Sequence, residues 1–91
     1  MAISETKEQN EDITIDTLRH LFYIGCKNAD VSQDTCLALT LMLKSKEELG
    51  TMVRWMIKQE DKGYMPSQTE VVLTAERIKE YYLTHPEEIN G

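Results

Sequence analysis

A chain of 91 residues, 41% apolar and 29% charged, is long enough for one modest core and too short for two. No apolar run approaches the roughly 20 residues that a membrane span needs, and the first twelve residues hold neither a basic nor an apolar stretch, so no export signal is expected. The formal charge of −6 sits mostly towards the ends: Glu5, Glu8, Glu11 and Asp12 face only Lys7, and Glu87 and Glu88 lie near the other end. Residues 13–86 hold ten acids against nine bases, which argues against an acidic DNA-mimicking surface and removes global repulsion as a bar to nucleic acid.

Residues 1–12 lack apolar periodicity and aromatic side chains, and read as a disordered acidic lead-in to a single helical domain over 13–86. A first helix is predicted over 16–28, with Asp16 as N-cap and Leu18, Leu21, Phe22 and Gly25 as its inner stripe, flanked by Ile24 and Cys26. Ile13 and Ile15 are placed to staple the chain entry to it. A second helix, over 32–44, starts at the N-cap Ser32 with Asp34 in its first turn, where a negative charge suits the helix dipole.

The second helix contains Cys36-Leu-Ala-Leu-Thr-Leu-Met-Leu43, apolar at seven of eight positions. At about 100° per residue these side chains point in every direction, so the helix must be covered all round. The expectation is an all-α bundle of four helices with this one at its centre, or with one of its faces lent to a partner.

Ser45-Lys-Glu-Glu48 and Ser67-Gln-Thr-Glu70 both have capping-box spacing, and open helices predicted over 46–61 and 67–84. In the third, Leu49, Met52, Val53, Met56, Ile57 and Glu60 recur at helical spacing, with Gly50 marking a close approach or a slight kink. In the fourth, Val71, Ala75, Ile78 and Tyr82 form the inner stripe, and Pro86 stops the helix ahead of a frayed tail over 87–91.

Motifs for chemistry are missing. His20, His85, Cys26 and Cys36 form no C-x-x-C, H-x-x-x-H or E-x-x-H spacing, so no metal site is predicted and the cysteines are assigned to packing as reduced thiols of a cytoplasmic protein. Gly25, Gly50, Gly63 and Gly91 are scattered rather than clustered around a phosphate. Neighbouring acids such as Glu47/Glu48, Glu60/Asp61 and Glu87/Glu88 point apart on a helix. The reading is of a protein that is not an enzyme, with no catalytic residues, no cofactor and no small-molecule substrate.

Trp55 lies roughly 130° from the centre of the third helix's apolar stripe. Arg54, Lys58 and Lys62 follow one another at i, i+4 and i+8 on the same outer side. A basic row beside an indole is a candidate partner-contact patch, since Trp and Arg dominate interface hot spots. The blander reading, and the preferred one, packs Trp55 under the fourth helix or the N-terminal segment with lysine stems over its rim.

The second and third helices with the turn between them also read as a helix-turn-helix, in which Arg54 and Lys58 would reach DNA. The following Lys62-Gly-Tyr-Met and Val71-Val-Leu-Thr-Ala resemble the wing region of winged-helix domains, over about a dozen residues. That resemblance implies a DNA-binding regulator whose residues 64–73 form strand. Two features depart from it: the second helix is very apolar for a positioning helix, and Ser67–Glu70 reads as a helix start. The favoured function is protein–protein interaction, with a homodimer as the simplest partner; DNA is the alternative.

Overall fold

A computed structural model of the chain describes residues 14–88; the expectations for 1–12, for Ile13 and for 89–91 fall outside them. Within that span four α-helices form: α1 Ile15–Asn28, α2 Gln33–Met42, α3 Lys46–Asp61 and α4 Gln68–Thr84, followed by one 3-10 turn over Pro86–Glu88. The described residues contain no strand. This is the all-α four-helix bundle that the hydrophobic pattern predicts.

Local chemistry sets the helix boundaries. Ser45 and Ser67 close full capping boxes: each hydroxyl accepts the N3 amide, and Glu48 and Glu70 accept the N-cap amides in return at 3.1 and 3.0 Å. Ser32 caps α2 through the Thr35 amide. The start of α1 differs from expectation. Thr14, rather than Asp16, accepts the Thr17 amide at 3.2 Å, and Asp16 joins the first turn and pairs with Arg19. The earlier start brings Ile15 into register with Leu18 and Phe22, so that it packs on the core.

Both α1 and α3 end in Schellman turns. After α1 the Asp30 and Val31 amides bond back to Lys27 and Cys26, with Asp30 in the left-handed region at φ 61°. After α3 Gly63, at φ 73°, takes the same position, with the Gly63 and Tyr64 amides bonded to Glu60 and Gln59. α2 ends two residues earlier than predicted. Leu43 leaves the helix, keeps its amide on Leu39 and buries its side chain completely, which frees Ser45 to take the extended backbone of an N-cap.

The helices close a ring in which α1 packs on α2 and α3, and α4 packs on α3 and α2. Leu18 approaches Gly50 and Met56 approaches Gly25, so α1 and α3 advance in the same sense. Thr51–Tyr82 and Tyr64–Glu70 contacts at opposite ends make α4 antiparallel to α3. The core joins Leu18, Phe22 and Cys26 of α1 to Leu39 and Leu43, to Leu49, Met52 and Val53 of α3, and to Val71, Ala75 and Ile78 of α4.

The most enclosed helix is α3, and α2 lies at the edge. Only Cys36 and Leu39 within α2 are buried, while Leu37 and Leu41 are 60% and 65% exposed. Covering a helix on every side needs neighbours on every side. α2 has α1 and α4, and its outer face is left over. The stripe of α1 is also turned from its predicted centre: Cys26 points inward and Leu21 outward, because α1 must face α2 and α3 at once. Ile57 and Glu60, expected on the buried stripe of α3, are exposed near its C-terminus.

Candidate functional site

Three surfaces merit inspection, beginning with the one around Trp55. The indole is half-buried and packs on the core. With Thr51 of α3 and Thr74, Arg77, Ile78, Tyr81 and Tyr82 of α4 it lines an open cavity of about 330 Å³. Trp55 thus lies in the α3–α4 seam, with part of its indole open to that cavity. Tyr82 hydroxyl sits 2.9 Å from Thr51 Oγ1, which donates to the Glu47 carbonyl, so the tyrosine donates to the threonine and ties the helices together. Arg54, Lys58 and Lys62 are exposed on the outside of α3, and Arg54 reaches back to Thr51 at 3.3 Å. Arg54 thus joins the basic row to the rim of the cavity through Thr51.

A second surface escaped the sequence reading. Gly25 and Asn28 of α1, Ala29 just after it, Met56 and Glu60 of α3 and the turn Gly63–Pro66 line a groove of about 400 Å³. A Cβ on Gly25 would lie 3.0 Å from Met56 Cε and 3.1 Å from its sulfur. Gly25 is therefore a close-approach glycine; at Gly50, where the sequence suggests a close approach or a slight kink, a Cβ would meet nothing nearer than 3.8 Å. Tyr64 and Met65 stand exposed at the rim, and the Tyr64 hydroxyl donates to Glu70 at 2.6 Å. That bond holds the tyrosine above its usual pKa and the carboxyl of Glu70 below.

The third surface is the outer face of α2, made by Leu37, Ala38 and Leu41. Thr40, the polar residue of this run, donates to the Leu37 carbonyl at 2.7 Å and so adds no unsatisfied hydroxyl. No protein-family model, curated protein or solved structure matches the chain. What bears on function is the chemistry of these surfaces and of the titratable groups.

Those groups have structural explanations. Cys26 and Cys36 are free and buried, and burial together with the neighbouring Cys36 thiol pushes the Cys26 thiol well up, away from nucleophilic use. Glu48, 3% exposed, would be pushed up by burial. The Ser45 amide and hydroxyl, and Lys79 at 3.2 Å, outweigh burial and hold it below its ordinary value. His85 ends α4 stacked on Tyr81 at 4.2 Å, its Nδ1 2.9 Å from the Tyr81 carbonyl. His20 is exposed. Among the described residues no three His, Cys, Asp or Glu gather as metal ligands, no buried side-chain polar atom lacks a partner, and no helix is long and apolar enough to cross a membrane.

Proposed function

We propose that this chain is a small non-enzymatic interaction module that associates through the outer face of α2, a second copy being its simplest partner. The observation that carries the reading is the exposure of Leu37 and Leu41, one turn apart on a helix with no charge between Asp34 and Lys44. Two leucines side by side in water lose burial worth about 1.5–3 kcal/mol each when fully covered, and a partner recovers part of it. The neighbouring thiols, left unjoined in the core, suit the reducing cytoplasm, where we place the protein.

Light scattering over a concentration series tests this. The expected mass rises above that of one chain, and Leu37→Ser/Leu41→Ser returns it to one chain without lowering the melting temperature. A single-chain mass at every concentration would overturn self-association. The same series with a mixed DNA duplex at low salt addresses the alternative, which the exposed row Arg54, Lys58 and Lys62 favours. The winged-helix form of that alternative lacks its wing: 64–67 have no strand, and 68–73 lie in α4.

A further inference from the structure

We infer that α2 pairs with α2 of a second copy in antiparallel register about a two-fold axis at Leu39, with Asp34 of each chain opposite the partner's Lys44. This rests on the self-association reading and adds a geometry to it. The sequence is symmetric about Leu39: Leu37 and Leu41 lie two residues to either side on α2, and five residues out stand Asp34, in its first turn, and Lys44, two residues past its end. All four side chains are exposed. Nothing charged stands between Asp34 and Lys44, while exposed Asp30 extends the acidic end and exposed Lys46 the basic end; Glu47, next along, is half-buried.

An isologous interface must be complementary to itself, which requires opposite charges at equal distances from the axis. Antiparallel pairing maps Leu37 onto the partner's Leu41 and Asp34 onto the partner's Lys44, and it opposes the two helix dipoles. Parallel pairing would set Asp34 against its own copy and Lys44 against its own. Ala38, small and exposed on the same face, allows the helices to approach near the axis. α2 has ten residues and is about 15 Å long, so the contact falls below the usual ~1,200 Å² of a stable interface and the dimer is weak and concentration-dependent.

Sedimentation equilibrium at low salt on the full chain tests the geometry with charge reversals. Asp34→Lys and Lys44→Asp each turn two attractions into two repulsions and should weaken the dimer on the order of tenfold. The double variant Asp34→Lys/Lys44→Asp should return to within about twofold of the starting chain, because it inverts both partners. Oxidative cross-linking gives a readout that does not depend on helix-end charges. Ala38→Cys should form a covalent dimer, and Asp34→Cys should not, since antiparallel pairing sets the two copies of position 34 about 15 Å apart.

Dimers that ignore both reversals, fail to recover in the double variant, or cross-link through position 34 would overturn this register while leaving self-association standing. A starting chain that remains single at every concentration would overturn both. Circular-dichroism melts confirm that each variant is folded, and should any reversal unfold the chain, the cross-linking pair decides the matter.

Discussion

Removing Lys79 should destabilise the protein more than neutralising the acid it pairs with. Glu48 is 3% exposed and Lys79 31%, so the two partners have unequal access to water once the bridge is broken. Lys79→Met fills the same space with an apolar stem and leaves a buried carboxylate supported by Ser45 alone. Breaking a fully buried pair costs about 3–5 kcal/mol; screening at the half-open lysine side brings the expected loss to about 2–3 kcal/mol. Glu48→Gln keeps an oxygen for the Ser45 amide, so the capping box survives, and Lys79 turns to solvent. Its expected cost is about 1 kcal/mol.

Urea unfolding followed by circular dichroism separates the two. With m near 1 kcal/mol/M for a chain this small, the midpoint should fall by about 2–3 M for Lys79→Met and about 1 M for Glu48→Gln. The double variant should be more stable than Lys79→Met alone, because it removes the stranded charge. pH adds a check of sign. The folded pKa of Glu48 lies below its unfolded value, so its contribution is complete above that value and is lost as pH falls through the folded one. In Lys79→Met the folded pKa moves up, because the ammonium no longer favours the charged form, and the deficit against the starting chain should shrink on acidification. Equal midpoints for the two single variants, or a deficit that grows in acid, would refute the assignment of this pair as a buried charge lock.

Gly50→Ala should raise stability by about 0.5–1 kcal/mol in thermal or urea melts, because a helical glycine gains a Cβ that meets only ordinary contacts at 3.8 and 3.9 Å. Gly63→Ala should lower it by about 1 kcal/mol, since its φ of 73° is strained for an L side chain although nothing lies within 4 Å. Asp30→Gly relieves the same backbone demand at the end of α1 and should add up to about 1 kcal/mol by the same assay. Cys26 and Cys36 should react with a thiol reagent at pH 8 only at the rate of unfolding; rapid labelling of the folded chain would contradict their burial.

What was legible in the sequence was whatever the chain decides within four residues. Ser45 with Glu48, Ser67 with Glu70, and Ser32 ahead of Asp34 place three helix starts because each cap is a hydrogen bond between near neighbours. Thr14 and Asp16 are both able to cap, and the choice fell to the burial of Ile15, which depends on a core that α3 supplies. Contacts between distant residues were not legible. The stripe of α3 is read correctly through Leu49, Met52, Val53 and Met56, but the pattern does not reveal that Glu48 beside it would be closed over by α4 and met by Lys79. Gly25 likewise gives no sign on its own that Met56 needs its missing Cβ.

The run Cys36–Leu43 shows the same limit most sharply. A helix apolar on all sides states that much of its surface should be covered, without stating by what. The fold covers Cys36 and Leu39, draws Leu43 out of the helix into the core, and leaves Leu37 and Leu41 outside. Two neighbours in a ring of four cannot do more. On the proposed antiparallel pairing, Asp34 in the first turn of α2 would meet the partner's Lys44, two residues past the helix end, a match that a second copy provides by symmetry. The reversals at Asp34 and Lys44 therefore test the identity of the partner, and the substitutions at Leu37 and Leu41 test whether there is one.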